Sequence, residues 1–323
     1  MNRLQNEEQK TSSVVVRIFK VYPAILLLII LLIVFSVIFP DRFLTAMNLT
    51  SILGQFVTII LFALGPSMVA TIGSLDLTYV GIWMLGGMLV WHLTPSLGIL
   101  AIFIYPLLGL ATGLLVGVIQ VKAKVPSFIL TLSLLAAYSG LTSILSGGYP
   151  RMVRGYEFLT KEFIPYLPTA LLWVIPLIVI AVYIMKGTKI GTYLYAIGSN
   201  EEGARLAGIN VDRYKIMTFM MSGLFTGLGS IIQFQHLGGS VPLSLNLNTM
   251  TLPLVAIVFG GTLLTGGSGG PDRTVLGTLA FVVLYRGLYI SLISPEILQL
   301  IVGLLLVLSI VVASRGLRGV SIT

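Results

Sequence analysis

The 323-residue chain is 56% hydrophobic and only 9% charged, with a mean hydropathy of +1.03. That balance excludes a soluble globular domain, whose water-facing surface needs far more charge. The absence of cysteine removes disulfides, thiolate metal sites and cysteine nucleophiles together, and the net charge of +8, scattered over loops without aromatic interleaving, argues for orientation in a membrane and against nucleic acid.

Residues 1–20 read as a cytoplasmic segment. The apolar run from Val21 to Phe39 exceeds the roughly 7–15 residues of a signal-peptide core, and no small-residue cleavage site follows it, so it reads as a first span. Apolar runs of about 20 residues then recur, each long enough for a hydrocarbon core about 30 Å thick. They fall near 48–72, 78–94, 97–121, 126–146, 169–185, 215–237, 251–265, 274–293 and 296–314. Each must be helical, because lipid leaves backbone polar groups no outside partner. The expectation is an all-α, polytopic protein of about ten transmembrane helices, a membrane domain over 21–314 with a cytoplasmic loop at 187–214, and a cytoplasmic tail over 315–323. With both termini inside, 14 of the 19 Lys and Arg residues face the cytoplasm, while Arg42, Arg151, Arg154 and Lys161 lie outside and Arg286 falls within a span. This bias supports the orientation.

Glycines recur within the spans, at Gly81, Gly86, Gly87, Gly109, Gly113, Gly117, Gly223, Gly227 and Gly229. Small residues at helical spacing let helices approach closely in lipid. "GPSM" at 65–68 and "GGTLLTGGSGGP" at 260–271 are expected to break their helices. Such breaks belong where they line a cavity or pack on protein, so each is either part of a transport path or ordinary turn chemistry.

The polar residues of the spans come next. Asp76 lies between two apolar segments; it either caps the following helix or sits near the path or gate. His92, beside Trp91, reads as an interfacial anchor. Gln233 and His236 share a helix face near an outer end, and with Asn246 and Asn248 they offer neutral donors and acceptors suited to an uncharged polyol. Arg286 lies twelve residues beyond Thr274, about 18 Å of helix. It lines a cavity, snorkels outward or pairs with Glu296.

One charged stretch interrupts this pattern: "YAIGSNEEGARLAGINVDRYK", residues 195–215. Ser199 and Glu202 have capping-box spacing, Glu201 and Glu202 sit where the helix dipole favours negative charge, and Gly208 suits a left-handed helix end. The resulting helix of about two turns is far shorter than the roughly 12–15 residues that hold alone, so it must dock. Ala204, Leu206 and Ala207 are expected to pack, leaving the charges for a soluble partner. An ordinary solvated loop is the other reading.

"NEEGARLAGINVDRYKIMTFMMSG" (200–223) resembles the cytoplasmic coupling loop of ribose-type ABC transporter permeases, with Glu202, Ala204 and Gly208 at its E-x-A…G positions. The resemblance continues along the chain in "FLTAMNLTSILGQ" (43–55), "GSLDLTYVG" (73–81), "KVPSFILTLSLL" (124–135) and "LPLVAIVFGGTLLTGG" (252–267), in the family's order. There are departures. One extra residue follows Asp76, Thr249 and Thr251 stand near where an acidic pair is usual, His236 replaces an Arg, and Arg286 stands where Asn is common. These departures bear on which solute is carried and leave the architecture intact.

The resemblance implies the permease subunit of a sugar importer in the plasma (inner) membrane of a prokaryote. Its partners would be a cytoplasmic ABC ATPase, an extracytoplasmic solute-binding protein, a second permease copy or paralogue, and the lipid bilayer. Ser199, Asn200, Glu201, Glu202, Ala204, Arg205 and Gly208 would couple to the ATPase, and Asp76, Gln233, His236, Asn248 and Arg286 are candidates for the substrate path. No phosphate-binding G-x-x-x-x-G-K-[ST] loop occurs, so ATP hydrolysis falls to a partner. With two separated histidines and no clustered carboxylates, neither a catalytic constellation nor a metal or cofactor site can be assembled. A permease for nucleosides or branched-chain amino acids is the alternative, and an ion-coupled secondary transporter is a second one.

Overall fold

The computed structural model describes residues 22–157, 165–243, 245 and 247–316; the expected segment 1–20 and all but two residues of the tail 315–323 lie outside these. Among the described residues there are thirteen α-helices and one two-residue strand pair, so the chain is all-α in class. The longest of these are α1 (Pro23–Ile38), α3 (Ala46–Thr71), α4 (Thr78–Leu97), α5 (Ile104–Ala123), α6 (Ser127–Ser146), α7 (Ala170–Gly187), α10 (Val211–His236), α11 (Leu247–Phe259), α12 (Pro271–Ile290) and α13 (Pro295–Gly316). Shorter helices are α2 (Pro40–Phe43), α8 (Lys189–Ser199) and α9 (Glu201–Leu206). β1 (Arg151–Met152) pairs antiparallel with β2 (Ser240–Val241), Arg151 opposite Val241.

Among the described residues, six helical stretches are long and apolar enough to cross a membrane: Ala46–Thr71, Thr78–Ala123, Ser127–Ser146, Ala170–Gly187, Val211–His236 and Pro271–Ile290. The 46-residue stretch is too long for one crossing at 1.5 Å per residue. It divides at Gly98, where φ is +55, and α4 packs back against α5 through a short 3-10 turn. α1, α11 and the described start of α13 are apolar but shorter.

Local chemistry sets the ends. The Thr45 side chain accepts the Asn48 amide and starts α3, and Pro271 begins α12 where a missing N–H is harmless. Left-handed Lys124 and Gly147 end α5 and α6. The glycine-rich segment does interrupt the helices: α11 stops at Phe259, α12 begins at Pro271, and Gly261, Gly266, Gly267, Gly269 and Gly270 all hold positive φ. At "GPSM" the expected break does not occur. α3 runs through Pro66, which is buried among neighbouring helices, and such surroundings tolerate the lost amide.

The centre of the bundle is the pairing of α10 with α5. Its spacing is set by glycine: a methyl at Gly109 would stand 2.0 Å from the Gly223 carbonyl oxygen, and one at Gly113 would stand 2.1 Å from that of Phe219. α3 crosses the other side of α10, with Gly65 against Ser222. α4 is buried along most of its length, including Tyr79 and Trp83, whose rings flank Phe62 of α3 at 5.9 and 5.6 Å.

Candidate functional site

α9 is a six-residue helix joined to α8 by a single residue, Asn200. Asn200 is extended, at φ −159° and ψ 101°, and its Oδ1 accepts the Gly203 amide at 2.9 Å. The cap is therefore one residue later than the capping box expected at Ser199 and Glu202. Ser199 is still helical within α8, and its hydroxyl turns back to donate to the Tyr195 carbonyl at 2.8 Å. The far end has the expected form. Gly208 holds φ +82°, its amide donates to the Arg205 carbonyl, and the Ile209 amide donates to that of Ala204, both at 3.1 Å. This is the paired closure of a Schellman end.

Ala204 is buried, as expected, and Ile209 packs on the same core. Leu206 and Ala207 do not pack: Leu206 is 85% exposed and Ala207 is exposed too. Leu206 lies about 200° around the helix from Ala204, on its opposite side, and Ala207 is the cap residue beyond the last turn. The charges differ from expectation as well. Glu201 is paired with Lys215 and with Arg205 (3.5 Å), and Arg205 is paired with Asp212 at 2.8 Å. These exposed pairs add little stability, but they fix α9 against the start of α10. Glu202 has no ion pair among the described residues. Glu202, Leu206, Ala207 and Gly208 thus form the open face of α9. Beside it, a cavity of about 590 Å³ separates α9 from the α5–α6 turn, lined by Gln120, Lys124, Glu201, Arg205 and Lys215.

Asp76 lies in the interruption 72–77 between α3 and α4 and is 3% exposed. One carboxylate oxygen accepts the Thr78 amide (2.9 Å) and hydroxyl (2.6 Å), and the other accepts the Ser222 hydroxyl of α10 at 2.6 Å. Ser222 is eleven residues into α10, about 16 Å from its start. The carboxylate is therefore inside the bundle and fully engaged. Gln120 of α5 holds Ser74 at 2.9 Å, and Ser127 of α6 accepts the Leu75 amide at 2.9 Å, so three further helices grip this segment.

The remaining predicted residues do not converge. Gln233 is buried, with its Oε1 unpaired. His236 is exposed and lines a polar cavity of about 300 Å³ with Thr50, Ser51, Gln55 and Thr169. Asn248 starts α11, and Asn246 lies outside the described residues. Arg286 donates to the Asn48 side chain at 3.2 and 3.4 Å and stacks over Tyr289, tying α12 to the start of α3. Asp76 lies beyond the opposite end of α3, so these two charges belong to different regions. Among the described residues no group of three or more His, Cys, Asp or Glu side chains gathers to hold a metal ion. Sequence reading missed Ser222 and Asn48 as the partners of Asp76 and Arg286. It also missed Thr50, Ser51 and Gln55 beside His236, although "NLTSILGQ" presents these polar residues at helical spacing.

Residues 48–310 match the family described as branched-chain amino acid transport system / permease component. The ribose import permease protein of Haemophilus influenzae is 31% identical over 301 residues, which is 90% of this chain and 91% of that protein. The ribose import permease protein of Escherichia coli K12 is 28% identical, over 90% of this chain and 93% of its own. The xylose/arabinose import permease protein of Sulfolobus acidocaldarius is 32% identical, over 79% and 74%. No solved structure matches.

Proposed function

Because the chain belongs to the branched-chain amino acid transport system / permease component family, we propose that it is the membrane-spanning permease subunit of an ABC importer for a sugar or sugar-like solute. It is not itself an enzyme, since ATP is hydrolysed by a partner. The observation that carries the reading is the alignment, along nine-tenths of both chains, with proteins named as ribose import permeases. The family description names amino acids. Relatives aligned with most of this chain include proteins named for ribose, xylose/arabinose, allose and fructose, and the sugar reading is preferred.

An import permease works with an ATPase and a binding protein in a multi-pass membrane assembly. In finer detail, this chain crosses a prokaryotic inner membrane ten times with both termini in the cytoplasm, and it pairs with a second permease copy or paralogue. α9 enters a cleft of the ATPase through Glu202, Leu206, Ala207 and Gly208. Ser199, Asn200, Glu201, Ala204 and Arg205 shape and hold that helix. The polar cavity at His236 suits the outer mouth of the path, since hydroxyls, an amide and an imidazole match a neutral polyol. Gln233, one turn back from His236 on α10, carries polar character inward, while Asn248 of α11 is a separate candidate; Asp76 secures the helix break beside α10, and Arg286 holds the outer end of α3. Ion-driven transport is disfavoured because the Asp76 carboxylate is already engaged by three donors.

The test is solute competition. Uptake of a labelled pentose or hexose by the permease with its binding protein should be displaced by excess of the same sugar, and not by leucine or adenosine. Displacement by leucine or adenosine, with no sugar uptake, contradicts the sugar assignment.

A further inference from the structure

Two interruptions of the membrane helices, residues 72–77 and 260–270, meet the end of α8 at one point, and the contact is backbone on backbone. A methyl at Gly198 would stand 1.8 Å from the Thr71 carbonyl oxygen and 2.5 Å from the Gly267 nitrogen. One at Gly266 would stand 2.7 Å from the Gly73 nitrogen and 2.8 Å from the Gly198 oxygen. The Gly267 amide donates to the Thr71 carbonyl at 2.9 Å. One turn back on α8, the Tyr195 hydroxyl donates to the Gly269 carbonyl at 2.7 Å. Gly73, Gly266, Gly267 and Gly269 hold φ of +71°, +93°, +77° and +108°, so the site needs glycine for conformation as well as for room.

A contact made mainly of backbone, with only the Ser199 and Tyr195 hydroxyls at its edge, has little compliant layer, so a displacement on one side moves the other or breaks the packing. Only Asn200 separates α8 from α9, and the 72–77 segment carries Asp76, which holds Ser222 in α10. We propose that this glycine junction, with Tyr195 as its positioning residue, carries a displacement of α9 to both helix breaks at once. The contacts run without a gap from α8 through the two breaks to Ser222 at the bundle centre. The inference rests on the reading of α9 as the ATPase-docking helix and adds the route by which docking reaches the membrane.

The experiment reconstitutes the permease with its ATPase and binding protein in liposomes and measures sugar uptake and ATP hydrolysis in the same preparation. Tyr195→Phe keeps the ring and removes one hydrogen bond. It should lower sugar imported per ATP hydrolysed by about two- to tenfold, the factor one such bond is worth, with ATPase co-purification unchanged. Gly198→Ala should abolish uptake while hydrolysis continues; if that variant fails to accumulate, Tyr195→Phe decides alone. Wild-type uptake per ATP in Tyr195→Phe, or loss of ATPase binding in place of loss of coupling, overturns the junction. Failure of the underlying reading looks different: Gly208→Val would then keep both the ATPase and uptake, and the junction would fall with it.

Discussion

Replacing Gly208 by valine tests the docking helix at the residue that ends it. Gly208 sits at φ +82°, and a Cβ built there meets nothing within 4 Å, so the penalty within this chain is conformational and not steric. A left-handed backbone costs a residue with a side chain about 1–2 kcal/mol, and β-branching worsens it. Escaping that strain means giving up the Gly208 and Ile209 amide bonds, both 3.1 Å, that close a helix of six residues. A helix this short has no reserve of its own. A loss of about 1–2 kcal/mol changes the population of the formed helix by about 5–30-fold. Membrane abundance should stay near wild type, because α9 lies outside the bundle. ATPase co-purification and sugar uptake should fall within that range. Gly208→Asn should recover most of both, since Asn tolerates the left-handed region. Full ATPase binding and uptake in Gly208→Val, or equal damage from Asn and Val, would refute the reasoning.

The cap of α9 gives a sharper local contrast: Asn200→Ala should weaken the helix by about 1 kcal/mol, while Ser199→Ala leaves its cap intact. Hydrogen exchange over residues 201–209 should quicken only for Asn200→Ala, and equal rates in the two variants would contradict the cap assignment. Single cysteines report sidedness cleanly in a chain that has none. A cysteine at Gly155 should label from outside and one at Glu201 only after permeabilisation, with the reverse pattern overturning the orientation. Asp76→Ala leaves buried donors on Thr78 and Ser222 without an acceptor, at about 1–3 kcal/mol each. Asp76→Asn can still accept from Thr78 and donate to Ser222, so thermal unfolding in detergent should place the Ala variant well below the Asn variant; matching midpoints would contradict the buried network.

What the sequence made legible was chemistry with a single use in lipid. Glycines spaced like Gly109 and Gly113, or Gly223 and Gly227, can only serve close helix approach, and they do. Five positive-φ glycines between Phe259 and Pro271 could not continue a helix. Pro66 was misleading because its rule comes from helices in water, whereas α3 has protein on every side there. The cap was displaced by one residue because both Ser199 and Asn200 can cap. Which of them does so depends on where α8 ends, and Gly198 packed on Thr71 keeps Ser199 helical. The partners of Asp76 and Arg286 were out of reach for a different reason. Asp76 and Ser222 are 146 positions apart, and Arg286 and Asn48 are 238 apart, so only the assembled bundle brings them together.

The most direct test of the importer assignment is the energy source for uptake. Proteoliposomes holding this permease, its ATPase and its binding protein should accumulate labelled monosaccharide when ATP is supplied to the ATPase side. They should not do so when ATP is replaced by a sodium or proton gradient. Accumulation by the permease alone on an ion gradient, without ATPase or ATP, would contradict the assignment outright.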